Sequence, residues 1–335
     1  MQNVWQKLKK KKTFFVLAPM AGVTDFTFRE ISADIGGVDL FFTEFISTEG
    51  VTRFGIEKYM SQLKFTKKQR PIIVQFFGSR PEQFEKCAKL AVKLGFDGID
   101  INMGCPDRNV KKQGAGSELI RNPELAKEII QSTIKGCDGK LPVSVKTRLG
   151  YNTENIGEYL KILEDITELG IDAITIHGRT VKQGYGGKAD WEKIGQINKV
   201  LKKINPDIIV IGNGDIKTSE EGKKKAEKYG VDGIMIGREV LKNPWVFNCE
   251  PASPAGRYSR IKRIDPNIKD RLRLCLKHTQ LFKKFYGEGK SFSFMKKYYR
   301  AYLLGFKGAG IMRRKLMELK DFDEAEKNVS KLLNK

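Results

Sequence analysis

The stretch FDGIDIN, residues 96–102, is a short and almost continuously apolar run. Runs of this length are typical of parallel strands that are buried on both faces. Seven similar runs recur along the chain, and the segments between them are long enough for a helix. They cover residues 14–20, 38–45, 72–78, 142–148, 171–178, 207–214 and 231–238.

The segments between these runs have helical periodicity. Residues 81–95 place Phe84, Cys87 and Leu94 on one side and stop at Gly95, a typical helix end. Eight such strand–helix units predict an α/β fold, a (β/α)8 TIM barrel over residues 13–247. The competing interpretation is a doubly wound open sheet, which often carries a Gly-rich first loop; no G-x-G-x-x-G is present.

The regions outside the barrel differ in composition. Residues 1–12 are predicted to form a basic N-terminal tail, and its KLKKKK run, residues 7–12, is expected to be disordered, with added contacts to a partner as the alternative. Residues 248–268 are rich in Pro, Ser, Gly and Arg and read as a linker. Residues 269–335 have helical spacing, with a capping-box pattern at Asp321 and Glu324, and predict a small all-α C-terminal domain.

The cysteine spacing and the hydropathy of the chain exclude several classes of protein. The chain has five cysteines, and because this number is odd we expect no disulfide framework. Their spacing is not that of metal ligands, so we expect no metal site. No apolar run is long enough to cross a bilayer, so we expect no membrane partner. These features favour a cytoplasmic protein, and we expect a monomer.

The net charge of +22 indicates a polyanionic partner. The excess is concentrated after residue 250, where 22 Lys and Arg face 8 Asp and Glu. The alternative is a lysine-rich protein whose charges are simply solvated.

Each predicted strand ends in polar or special residues, and barrels place their active sites at that edge. The residues are Pro19 and Met20, Glu44, Gln75, Asn102, Lys146 and Arg148, His177 and Arg179, Asn213 and Asp215, and Gly237 and Arg238. The glycine-bearing turns at Gly214 and Gly237 favour phosphate binding, with ordinary turns as the alternative. Lys146 and Arg148 share one strand face and need an anion, which a reduced flavin would supply.

Six motifs, in order, resemble those of the tRNA-dihydrouridine synthases. They are LAPMAGVTD, INMGCPDR, VSVKTRLG, ITIHGRTVKQGYGGKADW, VIGNGDI and DGIMIGR followed by NPW, and the resemblance covers almost the whole chain. It implies an FMN-bearing barrel with a helical C-terminal domain. One departure is Glu239, which stands where the family often has glycine.

The resemblance implies a role for each matching residue. Pro19 and Met20 would lie against the flavin, and Asn102, Arg148 and Arg179 would line the base pocket. Cys105 would be the proton donor. The remaining FMN-binding residues would be Gln75, Lys146, His177, Asn213, Gly214, Asp215, Gly237 and Arg238.

Cys105 suits proton donation because an ordinary thiol is mostly protonated near pH 7. Reduction of uracil at C5=C6 leaves negative charge over C5 and O4 after hydride reaches C6, and C5 then needs a proton. Taken without the resemblance, a small buried hydrophobe is an equal alternative for this cysteine.

The predicted activity is reduction of uridine in tRNA by FMN, with NADPH as a transient reductant. The target base must leave its stack, so phosphate contacts elsewhere must offset that cost. The helical domain would supply them through Lys296, Lys297, Tyr298 and Arg300. The alternative for the KLKKKK run is that it adds RNA contacts of the same kind. The alternatives are an FMN barrel that reduces a free pyrimidine or enone, and a non-catalytic RNA-binding barrel protein.

Overall fold

The computed structural model describes residues 2–152, 156–248 and 266–333. Two compact units account for them. The first lies within residues 1–26, 38–216 and 220–237, and the second within residues 27–37, 217–219 and 238–335. Most of the predicted linker, including Cys249, lies outside the described residues.

Eight parallel strands form the first unit. They are β1 (Phe14–Leu17), β2 (Phe41–Ser47), β3 (Ile72–Phe77), β4 (Gly98–Asn102), β5 (Val143–Arg148), β6 (Ala173–His177), β7 (Ile209–Asn213) and β8 (Gly233–Ile236). Their order is β1-β8-β7-β6-β5-β4-β3-β2. An isolated parallel bridge pairs Val16 of β1 with Leu40, directly before β2, so the two ends of the curled sheet meet there. The predicted TIM-barrel-like architecture is confirmed, and the open doubly wound sheet is wrong because the strand order never reverses.

Helices follow the strands along the chain. They are α1 (Val4–Lys9), α2 (Phe26–Ile35), α3 (Thr48–Phe54), α4 (Met60–Leu63), α5 (Pro81–Leu94), α6 (Arg108–Lys112), α7 (Pro123–Cys137), α8 (Ile156–Glu168), α9 (Trp191–Ile204), α10 (Ser219–Tyr229), α11 (Ile268–Tyr286), α12 (Ser293–Tyr302), α13 (Ala309–Glu318) and α14 (Phe322–Leu333). Among the described residues, none of these helices is long and apolar enough to cross a bilayer.

The boundaries of α5 show how local sequence sets these elements. Pro81 occupies its first turn, where the missing N–H costs nothing, and Gly95 ends it at φ 73°. Phe84, Cys87 and Ala88 lie on its buried face. The apolar face of α5 thereby covers the sheet, and the charged residues of the helix remain at least partly exposed.

The N-terminal segment forms α1 rather than the disordered tail expected from its lysines. Asn3 caps the helix by accepting from Gln6 N, and the Gln6 side chain accepts from Asn3 N. Val4, Trp5 and Leu8 are buried and share a core cluster with barrel residues. The expectation of disorder was wrong because these three apolar side chains recur on one helix face.

The second unit has an aromatic core around His278, which is fully buried. Its Nε2 lies 3.1 Å from Thr27 Oγ1, and its Nδ1 lies 2.7 Å from Tyr302 Oη. The ring of Tyr298 lies 4.6 Å from the imidazole, centroid to centroid. These contacts give the second unit a core of its own.

The helix α14 begins as its sequence predicts. Glu324 N donates to Asp321 Oδ1 over 2.8 Å, which satisfies one of the N–H groups that a helix start leaves unpaired. The Glu324 side chain reaches back to accept from Lys320 N. The predicted cap at Asp321 is therefore confirmed.

Replacing Trp5 with Ala should lower the free energy of unfolding of the barrel by about 3–5 kcal/mol, because a large buried ring is lost. Urea denaturation measures the change. Lys7→Ala, on the exposed face of the same helix, is the matched control. A loss below about 1 kcal/mol for Trp5→Ala would show that α1 does not pack on the core.

Candidate active site

The carboxyl ends of the central strands bring the predicted polar residues to one edge of the barrel. The register of the parallel strands determines which of these residues lie side by side. The paired positions are Gln75 with Asp100, Asn102 with Lys146, Arg148 with His177, and His177 with Asn213. Residues far apart in sequence therefore form one continuous arc, as the alignment of the eight strand ends predicted.

A chain of hydrogen bonds runs from inside the barrel to the loop that carries Cys105. Gln75 Nε2 donates to Asp100 Oδ2 over 2.7 Å, and Asn102 Nδ2 donates to Gln75 Oε1 over 2.9 Å. Asn102 Oδ1 accepts from the N–H groups of Gly104 and Cys105 at 3.1 and 3.0 Å. Each amide is held in one orientation, so the start of the Cys105 loop is fixed by Asp100.

Asp100 is the residue of this hydrogen-bond chain that the sequence did not predict. It is fully buried, and Ser144 Oγ donates to its second oxygen over 2.7 Å. Burial raises the pKa of the Asp100 carboxyl to about 6, against the opposing effects of the Ser144 and Gln75 hydrogen bonds and the Lys146 charge. Its position two residues before Asn102 was the available signal, since alternate strand residues share a face.

Cys105 lies just beyond β4 and is partly buried. Burial raises the pKa of its thiol above the ordinary value, and the Asp107 charge acts in the same direction. A hydrogen bond from the Asp107 backbone and the charges of Arg148 and Lys146 act against this. The balance keeps the sulfur protonated at neutral pH, which suits an acid rather than a nucleophile.

Lys146 presents a cation that the described residues do not neutralise by direct contact. Its ammonium makes no hydrogen bond or ion pair with any of them. Burial lowers its pKa to about 8, with the Arg148 charge acting in the same direction and the Asp100 charge against it. An ammonium withdrawn from water without a partner is costly, so this position is suited to an anionic ligand.

Arg148 binds backbone carbonyls of two loops beside the site. Its Nε donates to Gly104 O over 2.6 Å, and its Nη1 donates to the carbonyls of Thr180 and Gly184 at 3.2 and 2.9 Å. The guanidinium also lies 5.8 Å from the ring centroid of Tyr185, whose side chain is exposed. Arg148 therefore joins the Cys105 loop to the loop that follows β6.

Arg179 and Asp215 anchor that second loop from its other side. Arg179 Nη2 donates to Asp215 Oδ2 over 2.7 Å, and its Nε and Nη2 bind the carbonyls of Gly186 and Gly187. Asp215 Oδ2 also accepts from Ala189 N. Arg179 Nη1 is buried and has no hydrogen-bond partner among the described residues. That orphaned donor is a second position that an anionic or carbonyl-bearing ligand would satisfy.

The turn after β7 leaves no room for a side chain, whereas a Cβ in the turn after β8 would make only ordinary contacts. Gly214 has φ 134°, and a Cβ on it would lie 2.6 Å from Ala189 Cβ. A Cβ on Gly237 would lie 3.6 Å from Met20 Sδ, so Met20 and Gly237 are neighbours. Asn213 Nδ2 donates to Met235 O over 2.8 Å. Pro19 directly precedes Met20 after the end of β1.

His177 is largely buried at the end of β6, and its Cδ2 is close to Gly214. Arg238 belongs to the second unit. Glu239, the departure noted in the sequence, lies with Arg238 in a short 3₁₀ turn, and its carboxylate pairs with Lys242 at 3.2 Å.

The four RNA-contact residues predicted in α12 fall into two groups. Lys296, Lys297 and Arg300 keep their side chains at least partly accessible. Tyr298 is fully buried, and its ring stacks 5.3 Å from that of Phe28. The prediction that Tyr298 contacts a substrate is wrong for this structure, because the hydrophobic spacing of α12 turns it into the core.

Comparison with known proteins shows which family the chain matches. The sequence profile of the family described as dihydrouridine synthase matches residues 16–335. A probable tRNA-dihydrouridine synthase of Staphylococcus aureus (strain COL) is 39% identical over 326 residues, covering 97% of this chain and 94% of the relative. Probable tRNA-dihydrouridine synthase 2 of Bacillus subtilis (strain 168) is 39% identical over 325 residues, covering 96% and 94%.

A solved structure of a 2-naphthoyl-CoA reductase in complex with 2-naphthoyl-CoA is similar in fold. The TM-score is 0.52 at 14% identity, and the match covers 72% of this chain and 51% of that one. This likeness supports the barrel architecture alone.

Alkylation of Cys105 by iodoacetamide should speed up with pH through a midpoint above that of an ordinary cysteine, since burial favours the thiol over the thiolate. Mass spectrometry of the Cys105 peptide separates its rate from those of the other cysteines, and Cys105→Ser supplies the blank. A midpoint near or below about pH 7 would identify an activated thiolate and contradict the acid role.

Replacing Asp100 with Asn should change how stability depends on pH. The folded-state pKa of Asp100 is about 6, above the unfolded value of about 3.9, so wild-type stability falls as pH rises between those values. An amide at this position does not titrate, so the stability of the variant relative to wild type should increase from about pH 4 to about pH 6 and then level off.

Denaturant unfolding at fixed ionic strength measures this difference. Asp138→Asn is the control, because Asp138 is exposed and the Lys140 contact lowers its pKa. A stability difference between wild type and the Asp100→Asn variant that stays flat over this pH range would show that burial does not raise the pKa of Asp100.

Proposed function

The chain belongs to the dihydrouridine synthase family, and on that basis we propose that it reduces the C5=C6 bond of uridine in tRNA to dihydrouridine. The observation that carries the proposal is the placement of Cys105 at the barrel edge by the hydrogen-bond chain from Asp100, where burial raises the pKa of its thiol. The curated relatives named as probable tRNA-dihydrouridine synthases, at 39% identity over nearly the whole chain, support the substrate class.

A flavin fits the chemistry of the edge. The unpartnered ammonium of Lys146 would meet the electron-rich edge of the ring, and Met20 and Pro19 would lie against it. The backbone N–H groups of the glycine-bearing turns at Gly214 and Gly237 would bind its phosphate. We assign FMN rather than a dinucleotide, because no dinucleotide fingerprint accompanies these turns. When bound, FMN supplies the hydride that adds to C6 of uracil, and NADPH would restore the reduced form.

The residues of the chain would handle the proton and the charge. Cys105 would deliver its proton to C5 as negative charge develops over C5 and O4. The Nη1 of Arg179, which lacks a partner among the described residues, would be available to a uracil carbonyl. Asn102 holds the Cys105 loop through its oxygen, so it orders the acid in addition to its predicted place in the base pocket.

The charge of the chain suits a folded RNA better than a small substrate. Extruding a base costs a few kcal/mol, which contacts with phosphates offset. Lys296, Lys297 and Arg300 on α12 would make such contacts. A reductase of free pyrimidines has no use for this excess charge, and a non-catalytic binder has no use for the acid and the unpartnered Lys146. We propose a cytoplasmic location for the protein on the basis of the proposed tRNA substrate.

Replacing Cys105 with Ala should leave FMN and tRNA affinities unchanged but slow dihydrouridine formation by about 100-fold or more, because general acid catalysis is lost. Single-turnover reactions with pre-reduced enzyme, followed by mass spectrometry of the tRNA, measure the rate. Cys87→Ala is the matched control, since Cys87 is buried in α5.

Undiminished turnover by the Cys105→Ala variant would refute the acid role. Wild-type protein that cannot be reconstituted with FMN, and so stays colourless, would refute the flavin assignment. Wild-type protein that takes up FMN but reduces free uridine as fast as tRNA would favour the small-substrate alternative.

A further inference from the structure

The segment between β2 and β3 carries an exposed aromatic ring between two cations. Phe54, at the end of α3, has half of its surface exposed to solvent. The Arg53 guanidinium lies 5.2 Å and the Lys58 ammonium 4.5 Å from the Phe54 ring centroid. We call Arg53, Phe54 and Lys58 the β2–β3 patch. A single exposed phenylalanine is common on protein surfaces, so it is the two cations beside this ring that point to a partner.

The two cations of the patch lie over the Phe54 ring and pair with no carboxylate in the described part of the chain. Elsewhere on the barrel, lysines and arginines commonly pair with carboxylates, as Lys89 does with Glu85. Neither Arg53 nor Lys58 has a salt bridge to any described residue. The segment from residue 52 to 70 contains six Lys and Arg and a single acidic residue, Glu57. Its charge therefore attracts a polyanion.

The segment that carries the patch begins at the same edge of the barrel as the Cys105 loop. Helix α3 begins at Thr48, directly after β2 ends, and Ser47 caps it by accepting from Gly50 N at 3.1 Å. The Cys105 loop follows the end of β4, a parallel strand of the same sheet. Both segments therefore leave the barrel from its carboxyl edge. An RNA that places one base in the barrel must lay its neighbouring nucleotides across that edge.

We propose that the β2–β3 patch is a second RNA contact, in which Phe54 stacks on an unpaired base while Arg53 and Lys58 bind the adjacent phosphates. This inference rests on the proposed tRNA substrate and extends it, since RNA contacts were otherwise assigned to α12. Stacking tolerates any base, because every base has a flat π-face. The patch would therefore add affinity and hold the single-stranded region beside the extruded uridine without reading its sequence.

Two kinds of variant separate the two parts of the patch. Arg53→Glu/Lys58→Glu should weaken tRNA binding and reduce the slope of log affinity against log salt by roughly 1.4 to 1.8, the effect of losing two phosphates. Phe54→Ala should weaken binding by about 5-fold or more at every salt concentration, because stacking is not a counterion effect. Phe54→Trp should restore it.

The measurement is fluorescence anisotropy with an unmodified tRNA transcript between about 50 and 200 mM salt, using the full chain reconstituted with FMN. Lys199→Glu/Lys203→Glu on α9 is the matched control, since both side chains are exposed and the change in net charge is the same. All variants should keep wild-type NADPH oxidation and thermal unfolding, because none touches the core or the Cys105 loop.

Wild-type affinity and salt slope in the patch variants, with wild-type protein that does form dihydrouridine, would overturn the patch and leave the proposed function standing. Equal losses in the α9 control would also overturn it, since the effect would then be one of net charge. Wild-type protein that neither binds nor modifies tRNA would overturn both proposals. A dimer that dissociates on Phe54→Ala would assign the patch to a second copy of this chain and overturn the RNA contact.

Discussion

The site depends on two hydrogen bonds that the side-chain oxygen of Asn102 accepts from backbone N–H groups. They fix the first turn after β4, and with it the position of Cys105. Asn102 can do this because its nitrogen is occupied by Gln75, whose own nitrogen is occupied by the Asp100 carboxylate. A buried carboxylate inside the barrel thus sets the direction of every amide between Asp100 and Cys105.

The electrostatics of the edge are incomplete without a ligand. Lys146 and the Nη1 of Arg179 are polar groups that have no partner among the described residues, and a folded protein retains such groups where a ligand supplies the partner. Arg148 and the rest of Arg179, in contrast, are used on loop carbonyls and on Asp215. At this edge, Arg148 and part of Arg179 therefore hold the loops in place. Lys146 and the Nη1 of Arg179 are suited to bind an anionic ligand near Cys105.

The eight strands and the edge residues could be predicted from the sequence because parallel buried strands read as short apolar runs with polar ends. Asp100 was missed because it lies inside one of those runs, where the apolar pattern drew attention away from the strand face it shares with Asn102. The loop contacts of Arg148 and Arg179 could not be predicted, since they involve backbone carbonyls that carry no side-chain signal. The helix α1 was not predicted because its lysines outweighed the spacing of its apolar residues. Tyr298 was assigned to RNA because aromatic and basic residues are interleaved in α12, although its position is in the core.

The most direct test is a structure of the protein with FMN and a tRNA substrate bound. We expect the Cys105 sulfur within about 3–3.5 Å of C5 of an extruded uracil, on the face opposite the flavin, with Asn102 still accepting from Gly104 and Cys105. A sulfur turned into the apolar interior, with another acid nearer to C5, would contradict the role of the Asp100–Asn102 chain in presenting the proton donor.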